Sequence, residues 1–387
     1  MLDLERQIFR QLERSKNILI IFSGRQSNDT PADQADALAS SLALFLFLKK
    51  LGKESEIVAD QTPGKREPLS FLPAYPEIRN GLENLRRFIV SLDISQSKVN
   101  QIKYAVDDNR LDFIISPSDG WFSPADVTTR AGEFKYDLIV TIGLADLESL
   151  GRIYDDNIEF FYKTTVINID HHAANGEFGQ INFIDLNAVA TAEILFYLLK
   201  NYQPELITED ISTCLLAGII QKTKNFKTAN LTPRTLLTTS ELITRGARRE
   251  EIVDHLYRSR SLASLKLWGK ILNNLKSENN NGLLWSKLSA ADFRETGATV
   301  GDLTDVVDEL IATVPNAKAI AILHEETENE TRVIVYSLKN INALDLIKEY
   351  SPLGTIKLAQ AVVDLSLRAA MTEIIGNLRA KLDKLGS

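Results

Sequence analysis

The stretch Thr165-Val-Ile-Asn-Ile-Asp-His-His-Ala-Ala-Asn175 decides the reading of this chain. Its first half, Thr165 to Ile169, is an apolar run of the kind that fills a buried strand. Its second half places Asp170, His171 and His172 where that strand runs out into a loop, and no other two of the chain's four histidines adjoin. Imidazole and carboxylate side chains together are metal-type donors, and open α/β sheets bind ligands beyond the carboxyl ends of their strands.

Working outward, further apolar runs at Asn17 to Phe22, Ser55 to Ala59, Phe113 to Ile115 and Tyr136 to Ile142 read as strands. Amphipathic stretches at Ala35 to Leu51, Asp146 to Tyr154 and Ala188 to Asn201 read as helices between them. This alternation predicts an α/β fold, a parallel sheet with helices on both faces, over residues 1–205. The turn Asp107-Asp-Asn109 and its flanks predict an inserted antiparallel ribbon at about residues 88–117. Residues 206–276 read as a helical connector, with Thr232 able to cap and Pro233 suited to a first helical position. The polar run Ser277 to Gly282 marks a boundary. After it, residues 283–387 read as a smaller C-terminal α+β domain: strands at Leu283 to Leu288, Ala317 to His324 and Thr331 to Leu338, then a helix from about Ile356 to Leu385. A cleft is expected between the two domains.

Composition narrows the function classes. The chain has 387 residues, 44% hydrophobic and 25% charged, an ordinary soluble balance. Its one cysteine, Cys214, excludes disulfides and cysteine-rich metal sites, and its apolar surroundings suit a core position in a reducing compartment. No run approaches the ~18 consecutive apolar residues of a membrane helix, and the acidic start is no signal peptide, so a cytoplasmic protein is expected. With 52 acidic against 44 basic residues and a net charge of −8, no global field draws in long duplex DNA. Phosphorylated small ligands and short strands stay open. One glycine in Ile142-Gly-Leu-Ala-Asp146 is too few for a dinucleotide loop.

The motif and the layout together resemble the DHH phosphoesterase family, in its two-domain branch of small-oligonucleotide exonucleases and phosphoadenosine phosphate phosphatases with a DHHA1-type C-terminal domain. The resemblance rests on Asp170-His-His172, Asn175, Phe178-Gly179, Ile181-Asn182, Asp185, Ala190-Thr-Ala-Glu-Ile194, Asp36-Ala-Leu-Ala-Ser-Ser41 and Phe71-Leu-Pro73, in that family's pattern. It implies two manganese ions, about 3.5–4 Å apart, that would need several carboxylates to hold their charge. Hydrolysis would proceed through metal-activated water, with Asp36, His171 and Asp170 as ligands and His172 orienting or donating a proton.

Several positions depart from that pattern. Ser23 or Gly24 stands where the family's first histidine is expected, Gln34 where its first aspartate is, Gly143 where the middle strand's aspartate is, and Lys222 where the last one is. An ammonium cannot ligate a metal and repels one. In the glycine-rich loop of the second domain, Gly354 remains, with Thr355 at the histidine position. Three readings follow. Lys222, Gln34, Ser41, Asn175, Gly354 and Thr355 could bind the phosphates of a nucleotide or short single-stranded oligonucleotide with no metal in a catalytically impaired protein. The protein could retain manganese-dependent hydrolysis. Or Lys222 could simply pair with Asp36 or Asp170 in a structural or partner-binding relic. Pairing of two copies as a homodimer is a further expectation from the resemblance.

Overall fold

A computed structural model describes residues 2–24, 30–60, 68–257, 261–278, 280, 282–303, 306, 314, 316–339 and 341–384. The chain divides into two compact units, residues 1–258 and 259–387.

The first unit is built on six parallel strands. Helix α1 (Leu2–Arg14) leads into β1 (Asn17–Phe22), α2 (Pro31–Lys50), β2 (Glu54–Ala59) and β3 (Ile78–Asn80). The chain then leaves the sheet through β4 (Arg86–Leu92), β5 (Val99–Asp107), β6 (Arg110–Pro117) and β7 (Val127–Phe134), which pair antiparallel as β4 with β7 and β5 with β6. It returns through β8 (Leu138–Ile142), α3 (Arg152–Asp155), α4 (Ile158–Lys163), β9 (Thr165–Asp170), β10 (Ile181–Ile184) and α5 (Thr191–Tyr202). Three helices complete the unit, α6 (Glu209–Lys222), α7 (Pro233–Thr244) and α8 (Arg249–Tyr257).

The sheet order is β10-β9-β8-β1-β2-β3, all parallel. Because side chains alternate along a strand, β1 feeds two cores. Ile18, Ile20 and Phe22 pack with α1, α2, α5 and α6, while Leu19 and Ile21 pack with Phe160, Phe161 and Ile153 of α3 and α4 on the other face. Both faces are therefore covered, which is why these strands read as unbroken apolar runs. The strand order reverses between β1 and β8, the switch point where such sheets leave a crevice.

In the second unit, α9 (Leu262–Asn273), β11 (Lys276–Glu278), β12 (Leu283–Leu288) and α10 (Ala290–Thr296) precede the hairpin of β13 (Ala319–Thr327) and β14 (Glu330–Ser337). Then come α11 (Ala343–Leu346), β15 (Leu353–Gly354), β16 (Leu358–Val363) and α12 (Leu367–Lys384). The sheet, β11-β12-β13-β14-β16-β15, is mixed. Leu283, Trp285 and Ala321 pack against α12, and Leu284, Ile320 and Ile322 against α9.

Two element readings change. The expected helix from Ile356 begins instead at Leu367, because Leu358 to Val363 alternates buried and exposed as a strand against β14. The expected helix at Asp146 to Tyr154 is broken into a short 3₁₀ turn and α3, with Gly151 at φ 54° between them.

Candidate functional site

Asp170 is the last residue of β9 and is fully buried. Its Oδ1 accepts from the backbone amides of His171 (2.7 Å) and His172 (3.3 Å) and lies 2.8 Å from His172 Nδ1, and its Oδ2 accepts from Asn175 Nδ2 at 2.7 Å. Burial works against its charge, yet the hydrogen bonds from His172, Asn175 and the His171 amide win and hold the carboxyl below its ordinary range. The aspartate thus shapes the loop and fixes the His172 ring, which sits 3.9 Å from that of His171.

The other side of the site comes from the start of α2. Thr30, Pro31 and Asp33 form a capping box: Asp33 Oδ2 accepts from the Thr30 amide (2.9 Å) and hydroxyl (2.6 Å), and Thr30 caps the Asp33 amide in return. That leaves Oδ1 of Asp33 facing inward, 3.1 Å from His172 Nε2 and in an ion pair with the ammonium of Lys222 at the end of α6. Both ring nitrogens of His172 therefore face carboxylate oxygens, so that the ring bridges Asp170 and Asp33.

His171 is the third member. Its Nδ1 lies 2.9 Å from the Thr191 hydroxyl, and its Nε2 is buried with no hydrogen-bond partner. Burial, with the positive charge of His172 beside it, pushes its pKa down to about 4, so the ring is neutral near pH 7, the form that ligates metals. Ligand atoms of Asp33, His171 and His172 all lie within 4.8 Å of one another. Two imidazoles and one carboxylate suit a single divalent transition ion. They are too few for a pair of ions, and the Lys222 ammonium already neutralises the carboxylate.

The expected residues are distributed differently. Asp36, fully buried, is engaged by backbone amides. It accepts from the backbone amides of Thr191 (2.6 Å) and Ala192 (3.1 Å), and so caps α5, whose own N-cap residue Ala190 has no side chain to do so. Burial outweighs those bonds and raises its pKa to about 6. Gly218 of α6 makes room for it, since a Cβ there would stand 2.8 Å from Asp36 Oδ1 and 3.0 Å from Ala192 Cβ. Lys222, expected in one reading to pair with Asp36 or Asp170, pairs with Asp33. Gly143 has φ 60°, and a Cβ there would lie 3.1 Å from Ala37 Cβ. Gln34 is half-buried on α2, and the Ser41 hydroxyl donates to the Ala37 carbonyl inside that helix. Asn175 is spent on the scaffold, bonding the Leu144 carbonyl, Asp170 and Asn168. In the second unit, Gly354 (φ 136°) and Thr355 form the tight turn into β16, with the Thr355 amide donating to the Leu358 carbonyl and its hydroxyl accepting from the Leu358 amide.

Asp33 is the residue that sequence reasoning missed, having placed Gln34 at the family's first aspartate position. The signal was the capping box Thr30-Pro-Ala-Asp33, which puts a carboxylate at the very start of α2, at the carboxyl edge of the sheet.

Comparison with known proteins agrees with this architecture. The DHH family N-terminal domain matches residues 30–219. Over 354 residues, 91% of this chain and 88% of the relative, the sequence is 27% identical to the bifunctional oligoribonuclease and PAP phosphatase NrnA of Thermus thermophilus. The protein of the same name from Bacillus subtilis is 26% identical over 174 residues, 43% of this chain and 53% of that one. Among solved structures, an exopolyphosphatase-related protein from Bacteroides fragilis superposes with a TM-score of 0.66 at 17% identity, covering 100% of this chain and 98% of the other, a likeness of fold.

Proposed function

Because this chain belongs to the DHH family, through the N-terminal domain at residues 30–219, we propose that it binds the phosphates of a nucleotide or short single-stranded oligonucleotide at the carboxyl edge of its parallel sheet, with hydrolysis impaired. The observation that carries this reading is the ion pair of Lys222 with Asp33 beside His172. A chain-borne cation occupies the carboxylate that an ion would need. Lys222 and the bridging His172 supply positive charge to a phosphate that competes with Asp33 for them. The N-terminus of α5 is already taken by Asp36, so it offers no anion site of its own. The ligand class is supported by the relative named as an oligoribonuclease and PAP phosphatase.

A second reading is favoured by one observation, the unpartnered Nε2 of His171. Asp33, His171 and His172 would then hold one divalent ion, with Lys222 displaced; Thr191 orients one ring and Asp170 the other. Such an ion would polarise a phosphoryl oxygen.

Calorimetry with phosphoadenosine phosphate and an RNA dinucleotide, in EDTA and in excess manganese, separates the readings. The first expects binding in EDTA, weakened about ten-fold or more by Lys222→Asp, and no phosphate or mononucleotide release. Manganese-dependent release that His171→Ala abolishes overturns it in favour of the second. Absence of binding and of turnover under both conditions overturns both.

A further inference from the structure

Ile102, Tyr104 and Val106 of the β5–β6 hairpin lie directly opposite Ile115, Phe113 and Leu111, so six apolar side chains share one face, while Lys103, Ala105, Asp112 and Ile114 point to the other. A face apolar along its length, opposite a mixed one, is the pattern of a sheet with one buried face. Yet among the described residues these two strands pair only with each other, and five of the six side chains are 52–74% exposed. An isolated two-stranded hairpin is at best marginally stable in water, so a face of this composition is built to be covered.

The face itself identifies what covers it. Its central pair is aromatic, Tyr104 with Phe113, and the flanking pairs are both aliphatic, Ile102 with Ile115 and Val106 with Leu111. A two-fold axis through the centre lays each aliphatic pair of one copy on the other aliphatic pair of the second. The surface is self-complementary in the way an isologous interface requires. Charge points the same way: residues 86–134 carry six basic against seven acidic side chains, no field for a phosphate backbone. With full residue areas of about 150–250 Å², the five exposed side chains offer roughly 600 Å² per chain, or about 1,200 Å² across a two-fold contact, the lower end of stable interfaces.

We propose that the β5–β6 hairpin is a dimerisation arm, packing its apolar face against the same face of a second copy of this chain. Sedimentation velocity on the full chain tests it. The wild type is expected at twice the chain mass at low micromolar concentration. Tyr104→Lys with Phe113→Lys is expected at the chain mass with an unchanged thermal melt, whereas Lys103→Glu, on the opposite face, stays dimeric. If the double variant fails to fold, replacing residues 99–117 by a short Gly-Ser turn serves in its place and is expected to be monomeric. A wild type monomeric up to about 100 μM overturns the proposal. So does a dimer that survives loss of the hairpin face, or assembly that forms only on added single-stranded oligonucleotide.

Discussion

Replacing Gly218 by alanine tests the packing that fixes Asp36. On helix propensity alone the change should stabilise α6 by about 1 kcal/mol. Against that, the new methyl would stand 2.8 Å from Asp36 Oδ1, 3.0 Å from Ala192 Cβ and 3.5 Å from Ala39 Cβ. The Asp36 oxygen cannot swing aside freely, because its carboxylate holds the amides of Thr191 and Ala192 and accepts from the Ser40 hydroxyl at 3.3 Å. Overpacking costs about 1–3 kcal/mol, and leaving a buried amide unpaired costs about 1–3 more. The net expectation is a loss of roughly 1–5 kcal/mol. For a unit of 258 residues that is a fall in Tm of about 2–20 °C, read by differential scanning calorimetry. Gly376→Ala in α12 is the control: a Cβ there meets nothing within 4 Å, so propensity acts alone and stability should rise slightly. If Gly218→Ala is as stable as the wild type or more so, then Asp36 is not locked against α6 and its capping role is wrong.

Other expectations follow from the same contacts. The folded-state pKa of Asp36, about 6, lies above its unfolded value of 3.8, so its contribution to stability is greatest below pH 3.8 and is lost as pH rises to 6. Asp36→Asn should therefore gain on the wild type by about 3 kcal/mol between those limits, seen as diverging urea midpoints at pH 4 and pH 7. A parallel pH dependence in the two proteins would refute it. Cys214 is fully buried and its thiol is pushed up by burial, so a thiol reagent should label it only on global unfolding. Fast labelling of the native protein would contradict that placement.

The parallel sheet was legible because its strands are covered on both faces, so β1, β8 and β9 appear as continuous apolar runs with little alternative reading. The strand β16 was not, because Leu358 to Val363 is flanked by helix-compatible residues and only its pairing with β14 decides between the two periods. In the site, the motif located the crevice, since Asp170, His171 and His172 fall at a strand end whatever the rest does. The identity of its partner was harder. Asp33 and Asp36 are three residues apart on one helix, and which one faces the histidines depends on where α2 begins and on the unfilled cap of α5. Both are tertiary facts, hinted at only by Thr30 and by the alanine at position 190. Cross-helix contacts such as Gly218 against Asp36 leave no local trace at all.

The pairing of Lys222 with Asp33 has one more consequence. A bound ion is recruited from solution, so its occupancy rises and falls with supply and yields to chelators. An ammonium carried on α6 is present once per chain from the moment the helix docks. As long as Lys222 holds Asp33, the charge balance of this crevice is inherited with the sequence and is not set by the supply of divalent metal.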